Sequence, residues 1–556
     1  MTFSTGSEGE LRGCRGWPSI PPMMAQRHSV TEHPLPARGE EIAASAHGMI
    51  VLSWILHRSG PWLFALAIAH TLRMASVGWG NTLNEAHSFR QSQTATTAFY
   101  MVGKSFTLAY ETPVLGKPWA IPLEFPLYQL IVARIVDLFD SPLDQTGRFV
   151  ALMFFLLTNI PLYRLVRAAG VSANHAWLPL ILFTISPYYV FWSRAFMIES
   201  TALFFSVAYL ATAIEASLRG RWRWVVLAAV LGAVAAAVKV TTFLLYLAVV
   251  VALLGAREYS RWTRDHDLSI LRPAITRLLA MTAIPFLTAV AWVRFTDSVK
   301  SENPLAALYL TSKMAHDWNY GTIHQKFSGF VWTVILGRAP QLVGGSWVAW
   351  LVLGAALAVT IVHRRRWRET LACLSAYLLG PIVFTNVYFV HNYYANANGI
   401  FLILAVAFAL VGLLEDVRWR GVGALLMGLT AVSAGGGYWK YAVVNLENHN
   451  DEVRDVGTFI RSHAPEGSVI VCIGCDWSPL VSYYAQRRAL NLPMDPEGGE
   501  AHDAAVAAAI RLLEGENVGA IVVLEPVRYP PELAQRRLRE AGFDVPVLTL
   551  QGLQRY

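Results

Sequence analysis

Charged residues are scarce in this chain of 556 amino acids. Only 15% of the residues are Asp, Glu, Lys or Arg, 54% are hydrophobic, and the mean hydropathy is +0.40. Soluble domains carry about 25% charged residues, so the composition excludes an ordinary soluble protein and indicates a membrane protein. Cysteine is scarce as well: 4 residues are too few for a disulfide scaffold. The CxxC formed by Cys472 and Cys475 is compatible with a local thiol pair or with no role at all.

Residues 1–48 lack the apolar core of a secretory signal peptide. They are polar and rich in Gly, Pro and Ser, which indicates a disordered cytoplasmic tail, or an extension from a start site placed too early. A Gly-rich phosphate fingerprint is also missing, because CIGCDW at 472–477 lacks the required spacing. The net charge of +7 comes from short loops between apolar segments. We therefore interpret it as a topology signal and expect no nucleic acid partner.

Long hydrophobic runs fill most of the remaining chain. A spanning helix needs roughly 20 residues, and about eleven segments meet this length, near 61–79, 147–166, 174–193, 196–216, 222–238, 240–256, 273–293, 343–362, 370–390, 396–415 and 421–438. Residues 48–60 and 125–139 are also apolar, which leaves the count open by one or two. The second of these contains Arg134 and Asp137, so we expect it to lie at the interface or half inserted.

Arginine is concentrated in every second loop. If the first span leads out of the cytoplasm, the inside loops contain Arg164 and Arg167; Arg219, Arg221 and Arg223; Arg257, Arg261, Arg264 and Arg272; Arg364, Arg365, Arg366 and Arg368; and Arg418 and Arg420. This pattern follows the positive-inside rule. It predicts a cytoplasmic N-terminus and, with an odd number of spans, a C-terminus on the outer face.

The outer face then receives a first loop near 80–146, a second near 295–342, and a tail from about 445. In the tail, GSVIVCIGC and VGAIVVLEP are typical of buried strands, whereas HDAAVAAAIRLLEGE and PPELAQRRLREAGF are typical of amphipathic helices. Alternating strands and helices indicate a small α/β domain. The predicted fold is therefore mainly α and polytopic, with a transmembrane domain at 49–444 and an outer α/β domain at 445–556.

Ionisable residues inside or beside apolar spans are costly in lipid and are functional candidates. Such residues are expected at the outer ends of the spans, and they are Glu85, Arg90, Glu124, Arg194, Glu199, Lys239 and His391. Structural charges would be scattered over both faces of the membrane. The candidates instead share the outer face, which predicts one shared polar cavity that opens outward.

The motif NEAHSFRQSQ, at 84–93, carries an unusual set of polar residues. On a helix, His87, Arg90, Gln91 and Thr94 would share one face, whereas Glu85 would begin the helix on another side with Asn84. A merely solvated face would more often use Lys and Glu. The motif therefore favours a functional role.

Structural roles remain open for the other candidates. Arg194 and Glu199 can form an ion pair between neighbouring spans, and Lys239 can extend to the membrane interface. His391 can be an interfacial histidine with hydrogen-bond partners. Glu124 can cap a helix, or it can pair with Lys117 or Arg134.

An outward cavity with acids and cations suits one kind of chemistry. A carboxylate can take a proton from a hydroxyl acceptor as general base. Arg and Lys can hold a phosphate and stabilise the charge that develops on a leaving phosphate. Nucleotide sugars are absent from the external face, so an activated donor there must be carried by the membrane, and a polyprenyl phosphate fits.

The acidic first outer loop, EFPLY, SRAFMIES, the span-embedded VK, HNYY and SYYAQRR occur in this order along the chain. In order and sidedness these motifs resemble the GT-C membrane glycosyltransferases. The resemblance covers about 50–490 and is strongest to the bacterial branch related to protein O-mannosyltransferases, aminoarabinose transferases and Rgt-type galacturonosyltransferases. It implies inverting transfer from a polyprenyl-phosphate sugar to a hydroxyl, at the periplasmic face of a bacterial inner membrane.

The resemblance also implies roles for individual residues. Glu85 corresponds to the first-loop acid that serves as base or supports a metal, and Arg194, Lys239 and His391 to cations near the lipid phosphate. Many members have two adjacent acids in this loop, but here the first position is Asn84. This departure leaves open both a bound divalent cation and the identity of the base, for which Glu124 is the main alternative. The remaining substrate-binding candidates are Asn84, His87, Arg90, Gln91, Glu199, Tyr393 and Tyr394.

Two other functions compete with this prediction. A lipid-linked glycan polymerase or ligase shares the donor chemistry, but it typically relies on a large late loop rich in Arg and His. A transporter would place charges near the membrane midplane on repeated, broken helices, and the two halves of this chain show no convincing repeat. The acceptor can be a cell-envelope glycan, a lipid or a protein, and the sequence identifies neither it nor the sugar.

Overall fold

A computed structural model describes residues 59–550, except 267, 346, 493–498, 525 and 527–530. The predicted cytoplasmic tail at 1–48 lies outside the described residues. From residue 59 to Lys300 the chain is largely helical, with the helices α1 (59–75), α2 (Ser88–Phe99), α3 (Leu127–Phe139), α4 (Leu143–Leu157), α5 (Asn159–Ala168), α6 (Trp177–Thr184), α7 (Pro187–Ser193), α8 (Glu199–Arg219), α9 (Trp222–Val238), α10 (Val240–Asp265) and α11 (Leu268–Lys300).

Shorter helices follow before the chain returns to long apolar ones. They are α12 (Pro304–Tyr309), α13 (His316–Tyr320), α14 (Ile323–Phe327), α15 (Gly329–Leu336) and α16 (Ala339–Val343). The next helices are α17 (Trp347–His363), α18 (Trp367–Val383), α19 (Thr385–Val390), α20 (Gly399–Leu414), α21 (Arg420–Tyr438) and α22 (Val444–Glu447). A 3-10 helix, Asn392–Asn396, follows α19, and a π-helix, Trp439–Val443, follows α21.

Each apolar segment predicted from the sequence to span the membrane coincides with a helix or with a pair of helices. In the described residues, 5 helices are long and apolar enough to cross a membrane, or up to 6 if a bent pair, Gly329–Val343 with Trp347–Val362, counts as one span. Trp222–Val238 and Gly399–Leu414 are shorter apolar helices. The protein is therefore mainly α-helical and of the multi-pass membrane type, and the number of spans stays a prediction.

The helical bundle contains a fully buried central helix and breaks in the helical backbone. All residues of α20 are buried, so this helix occupies the centre of the bundle. The segment predicted as one span at 174–193 is divided between α6 and α7, because Pro187 begins a new helix. The backbone is also extended at Lys239 (φ −157°, ψ 98°), between α9 and α10. This break places a lysine inside the apolar bundle.

The C-terminal region contains a parallel sheet. Its elements are α23 (Glu452–His463), β1 (Val469–Ile473), α24 (Leu480–Ala485), β2 (Arg488–Leu492), α25 (Gly499–Arg511), β3 (Val518–Leu524), α26 (Pro531–Glu540) and β4 (Val547–Leu550). The 4 strands are ordered β2-β1-β3-β4, and all pairs are parallel. The β1 strand is buried along its whole length, as expected for a sheet with both faces covered.

The sheet is joined to the first outer loop through the edge of β2. Ala489 N donates to Pro113 O (3.0 Å), Asn491 N to Val114 O (2.9 Å) and Gly116 N to Ala489 O (3.1 Å). The hydroxyl of Tyr484 also donates to the Asp144 carboxylate at the start of α4 (2.9 Å). The loop therefore covers an otherwise open sheet edge, and it fixes the α/β region beside the cavity described next.

Candidate functional site

A large cavity of about 1670 Å³ lies between the helical bundle and the C-terminal sheet. Its wall combines α2 and the segment before it, the α9–α10 break, α11, the residues after α19, the residues after α22, and the turn after β1. Residues predicted from the sequence line it, namely Asn84, Glu85, His87, Arg90, Glu124, Lys239, His391, Tyr393 and Tyr394. The structure thus brings together side chains that are more than three hundred residues apart in sequence.

Glu85 is held between two buried arginines. Arg194 binds its carboxylate through two hydrogen bonds of 3.0 Å each, and the Arg148 guanidinium lies 3.3 Å from the same carboxylate. Both guanidinium groups are fully buried, and the Glu85 side chain is 3% exposed. Removing one partner from such a cluster leaves an uncompensated buried charge, which costs about 3–5 kcal/mol. The Glu85 carboxylate thus balances two buried positive charges at the edge of the cavity.

The same arginines fix the chain that precedes α2. Arg148 donates to the carbonyls of Gly78 (3.1 Å), Trp79 (2.7 Å) and Asn81 (3.0 Å). Arg194 donates to the Gly78 carbonyl as well (2.6 Å). These bonds satisfy backbone groups that would otherwise be buried without partners. The cluster therefore sets where α2, with Arg90 on it, enters the cavity.

Glu124 lies in a second, more accessible ion pair. Arg90 contacts Glu124 Oε1 at 3.1 Å, and the side chains are 13% and 11% exposed. Gln129 donates to the same oxygen (3.0 Å), and no described residue hydrogen-bonds the other oxygen, Oε2. A carboxylate beside a cavity can accept a proton from a bound hydroxyl if one of its oxygens has no hydrogen-bond partner.

The EFPLY segment that carries Glu124 is held from several sides. Tyr110 receives a bond from Leu123 N (2.8 Å) and donates to Glu124 O (2.7 Å). Phe125 N donates to Ala237 O (3.0 Å), close to the end of α9. These bonds bring Glu124 to the chain break at Lys239.

Lys239 is buried at the α9–α10 break, with its side chain 9% exposed. Its ammonium forms an ion pair with Glu199, the first residue of α8. It also lies over the ring of Tyr394, 4.4 Å from the centroid, which is a cation–π arrangement. Lys239 and Arg90 both line the cavity, so the two cations can face the same ligand.

Aromatic side chains and two histidines form the adjoining wall. The His87 ring lies 4.8 Å from Tyr393 and 5.3 Å from His391, centroid to centroid. His87 Nε2 is 2.8 Å from Asn392 Oδ1. Burial, and then the neighbouring His87 and Lys239, lowers the pKa of His391 to about 4. Burial also lowers the pKa of His87, against the effect of the Asn392 bond. Both rings are therefore neutral at pH 7.

Three residues predicted to bind substrate do not line the cavity. Gln91 is fully buried, where its side chain donates to Ala86 O (3.0 Å) and accepts from Phe196 N (3.0 Å). Arg194 and Glu199 lie behind the wall as partners of Glu85 and Lys239. An Arg194–Glu199 ion pair is therefore not formed.

The ion-pair partners expected for Glu124 bind elsewhere. Lys117 pairs with Glu516 and Arg134 with Asp137, so neither is the partner of Glu124. The expected helical face is also incomplete. His87 does not share it with Arg90, because His87 precedes α2 in a left-handed conformation (φ 52°).

Sequence reasoning missed several residues around the cavity. Arg148 was detectable, because it is a charged residue near the start of an apolar span. Asn392 lies in the HNYY motif and Trp477 in CIGCDW, but neither was predicted individually, since their place in the wall depends on contacts between distant segments. Cys472 and Cys475 form a disulfide.

Divalent cation binding finds no support around Glu85. Among the described residues, no group of three or more His, Cys, Asp or Glu side chains could hold a metal ion. The Glu85 carboxylate is shared between two guanidinium groups, and these cations would repel a bound metal. The residues present at Glu85 therefore do not fit a metal.

Comparisons with known proteins give a consistent result. Residues 118–292 match the family model described as dolichyl-phosphate-mannose-protein mannosyltransferase. ArnT from Cupriavidus metallidurans bound to undecaprenyl phosphate is similar in structure, with a TM-score of 0.50 and 13% identity over 80% of this chain and 87% of that chain. No curated protein matches the chain in sequence.

Two further solved structures are more distant. Apo ArnT from Cupriavidus metallidurans has a TM-score of 0.45 and 14% identity over 85% of this chain and 89% of that chain. The Archaeoglobus fulgidus oligosaccharyltransferase, in complex with Zn and sulfate, has a TM-score of 0.47 and 13% identity over 78% of this chain. The present chain spans only 62% of that archaeal chain.

The family match covers the segments that carry Glu124 and Lys239, which line the cavity, and Arg194 and Glu199, which lie behind its wall. The shared fold with undecaprenyl-phosphate-bound ArnT extends over most of the chain. Together these findings confirm the resemblance of this chain to the GT-C membrane glycosyltransferases.

Proposed function

We propose that the protein is a bacterial inner-membrane glycosyltransferase that moves a sugar from a polyprenyl-phosphate donor to a hydroxyl acceptor, with inversion and at the periplasmic face. The observation that carries this proposal is the meeting of Arg90, Lys239 and Glu124 in one cavity. An apolar wall adjoins them, formed by Leu123, Ala237, Val240, Trp292 and Val293. Such a site suits a donor with a charged head and an apolar chain.

The donor phosphate would bind to Arg90 and Lys239. Arg90 has five N–H donors and Lys239 has three, whereas each side chain uses only part of this capacity on Glu124, Gln93 or Glu199. The remaining donors can hold phosphate oxygens through charge-assisted bonds. Undecaprenyl phosphate, which occupies the similarly folded ArnT, is a donor carrier of this class.

The chemical step is a single displacement. The acceptor hydroxyl oxygen attacks the anomeric carbon, the bond from that carbon to the phosphate oxygen breaks, and the hydroxyl proton passes to a carboxylate. The departing polyprenyl phosphate keeps the bonding electrons, and the cations stabilise its charge. Attack opposite the leaving group inverts the anomeric carbon.

Glu124 is the proposed general base, and Glu85 positions α2. The Glu124 carboxylate retains an oxygen without a described partner, whereas both oxygens of Glu85 bind Arg194. The proposed base is therefore the acid that the sequence offered as the main alternative, and Glu85, the acid implied first by the resemblance, takes the positioning role. Tyr393, Tyr394, His87 and His391 would surround the transferred sugar.

The contacts between the sheet and the first outer loop support a common side for both. A periplasmic position of the 445–556 domain then follows from the arginine-rich loops on the other side of the 49–444 domain. It also gives the Cys472–Cys475 disulfide an oxidising compartment.

Purified protein should transfer sugar from an undecaprenyl-phosphate-linked donor to a hydroxyl acceptor and should give a product of inverted anomeric configuration. A nucleotide sugar should not replace this donor. Transfer from a nucleotide sugar without lipid would overturn the proposal. Solute uptake into vesicles without sugar transfer would instead favour a transporter.

A further inference from the structure

The turn after β1 is constrained by a disulfide and faces the cavity. Cys472, the fourth residue of β1, is bonded to Cys475. Gly474 (φ 81°) and Asp476 (φ 51°) both have left-handed backbone conformations, which a non-glycine residue such as Asp476 rarely adopts. Gly474, Asp476 and Trp477 all line the cavity. The disulfide thus holds a turn whose side chains contribute to the wall.

The position of this turn in the sheet is one where ligands commonly bind. The strand order β2-β1-β3-β4 means that the chain leaves β1 toward one side of the sheet and leaves β3 toward the other. Ligands of open α/β sheets bind at the carboxyl ends of strands where such connections diverge. The turn after β1 lies at this divergence, and of the described turns that follow the strands it is the one that lines the cavity.

Trp477 connects the turn to the donor region. Its ring lies 4.4 Å from the ring of Phe89, centroid to centroid, in an edge-to-face arrangement. Phe89 precedes Arg90 on α2. A ligand held at Trp477 would therefore lie beside the helix that carries a donor-binding cation.

The chemistry of this wall favours an uncharged ligand rich in hydroxyl groups. Asn445, Asn448 and Asn450 line the cavity with the turn, and an amide both donates and accepts hydrogen bonds, as a hydroxyl does. The Asp476 carboxylate accepts only. Among the described lining residues at 445–450 and 474–477 there is no Lys or Arg, although a phosphorylated ligand needs cationic donors.

We infer that the turn at 474–477 and the asparagines at 445–450 form the acceptor subsite, and that the acceptor is a neutral saccharide. This inference rests on the proposed function and narrows it, because it disfavours a phosphorylated lipid as the acceptor. Trp477 supplies an apolar surface for a sugar ring, and the amide and carboxylate groups bind its hydroxyls. The disulfide keeps these groups in place.

Saturation-transfer NMR on the full-length protein in detergent tests this subsite. The probes are maltotriose, mannotriose and chitotriose as neutral saccharides, and mannose 6-phosphate as a charged one. At least one neutral saccharide should bind, and Trp477→Ala should weaken it at least tenfold. Phe459→Ala, which removes an exposed aromatic ring outside the cavity in the same domain, should leave binding unchanged.

A second pair of measurements separates this inference from the proposed function. Undecaprenyl phosphate binding should be the same in wild type and Trp477→Ala, and its absence in the wild type would count against the proposed function alone. Reduction of the disulfide, or the Cys472→Ser/Cys475→Ser variant, should weaken saccharide binding but not undecaprenyl phosphate binding. The inference is overturned if no neutral saccharide binds, if mannose 6-phosphate binds more tightly, or if folded Trp477→Ala or the reduced protein keeps wild-type saccharide affinity.

Discussion

Exchanging each of two carboxylates for an amide distinguishes a general base from a structural anchor. Glu124→Gln keeps the shape of the side chain, and the amide oxygen can still accept a bond from Arg90, whose guanidinium lies 3.1 Å from Glu124 Oε1. The loss of the charge-assisted character costs about 1 kcal/mol, so the variant should fold. It should nevertheless lose about 10²–10⁴-fold in turnover, the usual contribution of a general base.

Glu85→Gln should behave in the opposite way. Its carboxylate neutralises Arg148 and Arg194, both fully buried, and loss of that charge costs about 3–5 kcal/mol. The expected outcome is a low yield of folded protein, whereas the fraction that folds should retain measurable turnover. Turnover is therefore measured per folded molecule, on protein that elutes as a single species in size-exclusion chromatography, with saturating undecaprenyl-phosphate sugar.

One outcome of the Glu124→Gln and Glu85→Gln measurements would contradict the assignment of Glu124 as the base. If folded Glu124→Gln turns over at close to the wild-type rate while stably folded Glu85→Gln is inactive, the base is Glu85. An exchange at Glu111, which is in the same loop and pairs with Arg488, is the matched control. Glu111→Gln should leave turnover within about twofold, because Glu111 does not line the cavity.

Other features of the account can be tested separately. The pKa of His391 is lowered to about 4, so its ring stays neutral as the pH falls from 8 to 5. Turnover should therefore show no decrease with a midpoint near pH 6.5 that depends on His391. Such a decrease in the wild type that disappears in His391→Gln would contradict this prediction. Reporter fusions should indicate the cytoplasm after residues 168, 220, 260, 366 and 419, and the periplasm after 110, 320 and 500; a cytoplasmic signal at 500 would separate the sheet from the proposed cavity side. Lys239→Met should fold poorly because it leaves buried Glu199 unpaired. The double variant Lys239→Met/Glu199→Gln should fold again but should not regain turnover. If the double variant regains turnover, Lys239 serves only to balance the charge of Glu199.

The elements of the fold were largely predictable because they depend on local patterns. Runs of apolar residues predicted the helices of the bundle, and short β-branched runs predicted β1 and β3. Their ends were less predictable: the segment at 174–193 is two helices, since Pro187 starts α7. A proline within an apolar run is compatible with either a kink or a break, and the surrounding packing decides between them.

The charged residues at and behind the cavity wall were easier to predict than the ion pairs that they form. Burial is costly for any charge in an apolar span, so Glu85, Arg194, Glu199 and Lys239 were identifiable one by one. Which acid binds which cation depends on contacts over long sequence separations, such as Glu85 with Arg194. Nearby residues suggested an Arg194–Glu199 pair, but packing set Glu199 against Lys239 instead.

The central claim is that Arg90 and Lys239 bind the phosphate of the lipid donor, and equilibrium binding of undecaprenyl phosphate tests it most directly. Arg90→Gln should weaken binding by about tenfold to a hundredfold, the effect of losing one charge-assisted bond of about 1.5–3 kcal/mol. Arg134→Gln, which removes an arginine of the same loop that is paired with Asp137 outside the cavity, should bind like the wild type. Equal binding by wild type and folded Arg90→Gln, or no binding by the wild type, would contradict the account.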